Sequence, residues 1–175
     1  MTDYGASTPF AQAVQIDDPE LRAAFAKGPF ISIPQTEALG IKFLKLEHGK
    51  AWTKVAWRED LVGDSDTGVI AGGVLTTTLD HTCGGAVQAA LGKFLPMVTL
   101  DLRIDYMRPA EPRREIFCMA HCYKVTRSIC FVRGWAYHDS EDDPIATASG
   151  AFILLGEEHK GYDVEAAGPH ASGIA

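Results

Sequence analysis

Several things are missing from this chain of 175 residues, and each absence excludes a class of protein. No apolar run approaches the roughly 18 residues that a membrane span requires. The opening residues, MTDYGASTPF, show no basic region followed by an apolar one, so no secretory leader and a cytoplasmic location are expected. There are no internal repeats and no low-complexity blocks. Positive charge is short: 16 Lys and Arg stand against 23 Asp and Glu, a formal net charge of −7. Nucleic acid is therefore not an expected partner, because phosphate neutralisation needs a basic face. Cysteine is limited to Cys83, Cys118, Cys122 and Cys130, with no C-x-x-C pair. Cys118 and Cys122 would share a strand face about 13 Å apart, too far for a disulfide or a shared metal. Reduced, buried thiols are the expectation. No Gly-x-Ser-x-Gly elbow is present, and no histidine spacing suggests a metal site. No metal or redox cofactor is expected.

What is present suits a single domain with flanking segments: residues 1–35 as an arm and short helix, 36–156 as the folded body, and 157–175 as a flexible tail rich in Gly, Ala and charge. In DDPELRAAFAKG, Asp17 or Asp18 can cap a helix, Pro19 suits its first turn and Gly28 its end, with Leu21, Ala24 and Phe25 docking it. PFISIPQ reads as extended and broken by prolines. From Ala38 two strand-like runs, EALGIKFLKLE and KAWTKVAWRE, flank a turn at His48-Gly49, and LVGDSDTG follows as a loop.

The spacing predicts one long helix over Gly72 to Leu91. Leu75, Leu79, Cys83, Ala86 and Ala90 fall within about 40° of one direction at 100° per residue. The helix is built against propensity, with Gly72, Gly73, Gly84, Gly85 and three consecutive threonines, Thr76 to Thr78. Each costs a few tenths to about 1 kcal/mol against alanine. Burial inside a curved sheet can offset that cost, since small side chains permit close approach. Asp80, the helix's one carboxylate, lies at the margin of the apolar stripe among small neighbours. His81 points about 100° away from it and reads as structural or interfacial. Cys83 reads as core.

After Pro96 the period changes to two. In VTLDLRIDYMR the alternation sets Val98, Leu100, Leu102, Ile104 and Tyr106 on one face and Thr99, Asp101, Arg103 and Asp105 on the other. Three more strands follow, REIFCMAHCYKV, SICFVRGWAYHD and PIATASGAFILL, joined at Thr126-Arg127 and at SEDD. Two strands, one helix and four strands in succession cannot easily form a parallel doubly wound sheet. They suit an α+β fold in which an antiparallel sheet wraps one central helix.

Three segments, VIAGGVLTTTLDHTCGGAV, TLDLRIDYMRPA and KVTRSICFV, resemble the hotdog-fold acyl-CoA thioesterases of the phenylacetyl-CoA and 4-hydroxybenzoyl-CoA type. The resemblance runs from about Gly40 to Leu155, with the motifs in the family's order and spacing. It implies the hotdog fold, hydrolysis of an acyl-CoA thioester, and a homodimer that often pairs into a homotetramer. Gly68 matches the family's single glycine, Gly72 and Gly73 its glycine pair, and Asp80 its catalytic carboxylate. Thr99 stands where some members place a hydroxyl that helps the attacking water. Tyr106, Arg108, Pro109, Lys124, Arg127 and Ser128 match segments that hold coenzyme A. Ala71 replaces the family histidine, and Ser65, or Asp66 if the alignment slides, replaces its asparagine.

The chemistry agrees with those positions. Thioester hydrolysis needs donors for the developing oxyanion and a carboxylate that attacks or activates water. Free N–H groups at Gly72 and Gly73 would begin the helix at the positive end of its dipole. Eight helical residues rise about 12 Å, so Gly72 and Asp80 of one copy cannot easily serve one carbonyl. The expected site is shared between two copies, with Thr76, Thr77 and Gly84 on the wall of the acyl pocket. Two alternatives remain open: a non-catalytic acyl-CoA-binding hotdog module, and a hotdog enoyl-CoA hydratase or dehydratase.

Overall fold

The computed structural model describes residues 14–26 and 33–155. The first 13 residues of the expected arm, Gly28 and the expected tail from residue 157 lie outside them, as does the docking of the Ala24 side chain. The described elements are β1 (Gln15–Ile16), α1 (Pro19–Ala26), α2 (Pro34–Leu39), β2 (Ile41–Glu47), β3 (Lys50–Val55), β4 (Val62–Asp64), β5 (Val69–Ile70), α3 (Gly72–Leu91), β6 (Met97–Tyr106), β7 (Ile116–Val125), β8 (Ile129–Tyr137) and β9 (Ala146–Leu154). Seven strands form one sheet in the order β1-β2-β3-β7-β8-β9-β6, antiparallel apart from the β1–β2 pair.

The predicted long helix is α3, with the bounds read from the sequence. The sheet curls round it, and Leu75, Leu79, Cys83, Ala86 and Val87 are buried with Val55, Ile116, Val132 and Phe152 from the strands. Its threonines are accommodated by hydrogen bonds one turn back: Thr77 Oγ1 donates to Gly73 O at 3.0 Å and Thr78 Oγ1 to Val74 O at 2.7 Å. Buried Thr82 donates to Thr78 O and also lies 2.6 Å from Thr53 Oγ1 on β3, so its hydroxyl is satisfied inside the core. At Gly85 a Cβ would come within 2.6 Å of the Phe43 ring, which explains why the helix gives up propensity there.

Three local expectations are corrected. PFISIPQ is not all extended: Pro34 opens α2, where its lack of an N–H costs nothing, and Gly40 closes it at φ 69. The β region therefore starts at Ile41 rather than Ala38. Gln15 and Ile16, expected within a loose arm, add a short strand to β2. The loop LVGDSDTG contains the short strand β4, which pairs with β5 immediately after it in a small hairpin.

The fourth correction bears on function. Unbroken alternation sets Thr99 and Tyr106 on opposite faces of β6. In the structure the pairing with β9 shifts between Thr99↔Phe152 and Asp101↔Ala151, leaving Leu100 as an extra residue. This β-bulge inverts the alternation beyond it, so both Thr99 and Tyr106 reach α3. Gly150 sits beside the bulge, where an added Cβ would lie 2.7 Å from the backbone oxygen of Asp101. Gly150→Ala should destabilise by about 1–3 kcal/mol through overpacking. At about 2–4 °C per kcal/mol for a chain of this size, thermal melting should show a loss of several degrees; an unchanged melting temperature would mean that β6 yields freely.

Candidate active site

The edge strand β6 holds α3 at two points. At one, Asp80, half-buried on the helix, accepts a hydrogen bond at Oδ1 from Thr99 Oγ1 at 3.0 Å. At the other, eight residues nearer the helix start, Tyr106 Oη donates to Gly72 O at 2.8 Å and lies 2.9 Å from Thr76 Oγ1. Gly72 and Gly73 are exposed, and a Cβ on Gly73 would meet nothing within 4 Å. The amide end of the helix is thus open. Its N-cap, Ala71, makes no side-chain capping bond.

Asp80 lies in a groove of about 340 Å³ whose walls include Ile33, His81, Gly84, Met97, Thr99 and Phe152. Gly84 is what leaves the groove deep: a Cβ there would stand 3.2 Å from Met97 Cε and 3.9 Å from the Phe152 ring. The polar pair therefore stands beside an apolar wall, the arrangement of a small-molecule site. Ile33, Met97 and Phe152 escaped the sequence reading. Phe152 comes to the groove only through its register opposite Thr99. The expected wall residues Thr76 and Thr77 do not line this groove; both hydroxyls hydrogen-bond to the first turn.

His81 shares the groove with Asp80, although helical geometry separates them by about 100°. Its ring lies 4.9 Å from that of Phe43, and burial pushes its pKa down to about 4. An imidazole held neutral while the unfolded chain titrates near the ordinary 6.5 makes the native state lose stability as pH falls from about 6.5 to about 4, by about 3 kcal/mol at most. Urea melts across that range should show the loss in the wild type and a shallower one in His81→Asn; equal slopes would remove His81 as the cause. Burial also pushes the Cys83 thiol far above its ordinary range, which leaves it protonated and a poor nucleophile.

The other expected binding residues fall into separate groups. Lys124, Arg127 and Ser128 are exposed at the β7–β8 turn. Leu154 N donates to Ser128 O at 2.8 Å and Leu154 pairs with Met97, so this turn flanks the Thr99 end of β6. Arg108 and Pro109 follow the opposite end. Arg108 is already engaged, its Nη2 2.9 Å and its Nε 3.2 Å from the two Asp143 carboxylate oxygens. Ser65 lies in a different cleft, of about 130 Å³, with Trp57, Glu59, Val62, Gly68 and Arg113. Arg113 adopts φ 57 and donates its backbone N–H to Gly68 O at 3.1 Å. His138 is a buried, satisfied residue: Nδ1 lies 2.8 Å from Glu115 O, and Nε2 accepts from Glu111 N at 2.8 Å. All four cysteines are free and buried. Among the described residues no group of three or more His, Cys, Asp or Glu could hold a metal ion, and no helix is long and apolar enough to cross a membrane.

One central helix in a curved antiparallel sheet, with a carboxylate halfway along it and a glycine pair at its start, defines a hotdog-fold protein of the thioesterase kind. The family model described as the thioesterase superfamily matches residues 67–145, the span from the glycine loop through β8. The chain belongs to the thioesterase superfamily. It is similar to a solved protein of Pseudomonas aeruginosa, 36% identical over 78% of this chain and 100% of that one, with a TM-score of 0.69. It is also similar to a mutant of the phenylacetic acid degradation protein PaaI from Thermus thermophilus, 27% identical over 70% of this chain and 100% of that one, TM-score 0.61. The E. coli PaaI protein, 16% identical over 78% of this chain and 94% of that one, shares the fold at a TM-score of 0.67. No curated protein matches the sequence closely.

Proposed function

We propose that this protein hydrolyses acyl-CoA thioesters at two equivalent sites, each shared between two copies of the chain. The observation that carries the reading is the Thr99–Asp80 hydrogen bond on the wall of an apolar groove. The hydroxyl holds one carboxylate oxygen and leaves the other available for water or for the thioester carbon. In hydrolysis the C–S bond breaks, a water oxygen joins the acyl carbon, and the released thiolate takes a proton. Asp80 serves as general base or nucleophile, and the amide end of a neighbouring α3 receives the oxyanion.

The need for a second copy follows from distance and from the sheet edge. Donors and base sit about 12 Å apart along one helix. β6 ends the sheet, and no described strand pairs with its outer side. Val98, Leu100, Tyr106 and Met107 along it are 48%, 53%, 54% and 62% exposed, a long apolar edge of the kind that recruits another strand. Antiparallel pairing of β6 with its twin reverses direction across a two-fold axis. The Thr99–Asp80 end of one copy then faces the Tyr106–Gly72 end of the other. Lys124, Arg127 and Ser128 from one copy approach Arg108 and Pro109 of its twin on the same logic. With Arg108 committed to Asp143, Lys124 and Arg127 are the cations left to meet coenzyme A phosphates. Free, buried cysteines suit a reducing cytoplasm.

The test is a panel of aliphatic and aryl acyl-CoAs, with free thiol release as the signal. Turnover of at least one member, together with a dimer or larger assembly in solution, is expected. Ala71 favours a second reading, since the helix start lacks a supporting side chain. Tight acyl-CoA binding with no thiol release would establish a binding module instead.

A further inference from the structure

We infer that Tyr106 is a positioning residue that aims the backbone N–H of Gly73, and that the Leu100 bulge is what brings it there. This rests on the hydrolase reading above and assigns the donor within it. A peptide unit is planar, so the carbonyl of Gly72 and the N–H of Gly73 turn as one body. Fixing the first fixes the second. Tyr106 Oη donates to Gly72 O at 2.8 Å, and Thr76 Oγ1 lies 3.2 Å from the same oxygen and 2.9 Å from the phenol. Gly72 O is thereby gripped from two side chains besides its helical partner.

This helix start needs such a grip. Two successive glycines have the widest backbone freedom of any residue pair. Ala71 offers no capping oxygen, and nothing lies within 4 Å of a Cβ built on Gly73. The missing side chain of Gly72 is what admits the phenol: a Cβ there would stand 3.2 Å from Tyr106 Oη and 3.5 Å from its Cζ. A hydrogen bond into the carbonyl also polarises the amide, so the chain from Tyr106 through Gly72 O to the Gly73 N–H strengthens the donor where charge would develop. The phenol touches no reacting atom in this arrangement; it acts through the peptide.

The bulge sets the placement. Thr99 and Tyr106 are seven residues apart, an odd spacing that places side chains on opposite faces of a regular strand. The extra residue Leu100 restores them to one face. A single strand therefore holds both the carboxylate and the amide end of α3.

The test is Tyr106→Phe, which keeps the ring and removes the hydroxyl. Misplacement of catalytic groups by about 1 Å can cost about 10²-fold, so kcat should fall by about 10- to 100-fold with KM changed less than about twofold. Amide hydrogen exchange at Val74, Leu75 and Thr76, whose N–H groups bond back into the first turn, should accelerate at least about tenfold as the start of the helix loosens. Faster exchange with an unchanged kcat would make the grip merely structural and overturn the inference. A lower kcat with unchanged exchange would mean that the phenol acts on substrate directly, and would overturn it equally. A wild-type protein with no thioester turnover would sink the hydrolase reading, and the exchange comparison alone would then decide whether Tyr106 holds the amide.

Discussion

Asp80→Asn is expected to lower kcat for acyl-CoA hydrolysis by about 10²- to 10⁴-fold, the range that a positioned acid–base group contributes. Asparagine has nearly the same shape, and its carbonyl oxygen can still accept the hydrogen bond that Thr99 now gives to Oδ1 at 3.0 Å. The groove, the helix and their packing should persist, and the melting temperature should stay within a few degrees. KM should change little, because in the proposed mechanism the substituted group acts on the reacting carbon rather than on the coenzyme. Steady-state kinetics with the best substrate of the panel measure the effect. Retention of more than about a tenth of the wild-type rate would remove Asp80 as base or nucleophile.

Gly72→Val attacks the other half of the site. A Cβ on Gly72 already stands 3.2 Å from Tyr106 Oη, and a branched side chain extends further into that contact. The phenol would be displaced and the amide end of α3 partly covered. Loss of an oxyanion donor costs about 10²- to 10³-fold in other hydrolases, and a decrease of that order in kcat is expected. Gly72 is exposed, so the core is untouched and the fold should survive. Circular dichroism with the same kinetic assay separates this outcome from unfolding. A Gly72→Val protein with wild-type kcat would mean that the oxyanion is stabilised elsewhere.

The two halves were not equally legible in the sequence. The stripe from Leu75 to Ala90 fixes α3, because apolar residues recur at the helical period over about four turns. The strand count after Pro96 gives the sheet for the same reason at period two. Asp80 and the glycine pair stand out chemically, as a lone carboxylate and two poor helix formers in a buried helix. The bulge at Leu100 was invisible: VTLDLRIDY alternates without a break, and only the competition for partners on β9 decides where a residue is left over. Tyr106 was accordingly read onto the face opposite Thr99, whereas the structure brings both to α3, with the Tyr106 hydroxyl on Gly72 O. α2 was missed because Pro34 reads as a breaker, though at the first helical position it is harmless. The groove wall at Phe152 depends on strand register across some fifty residues of chain, which periodicity does not report.

The central claim is that each site draws its carboxylate from one copy and its amide donors from another. Mixing the Asp80→Asn and Gly72→Val proteins under conditions that exchange subunits tests it most directly. A mixed dimer keeps one intact pairing, Gly72 of the first variant with Asp80 of the second. Random exchange makes about half the dimers mixed, each with one working site of two, so activity should rise from near nothing to about a quarter of the wild-type value. A mixture no more active than its two parents, with subunit exchange verified, would contradict the account.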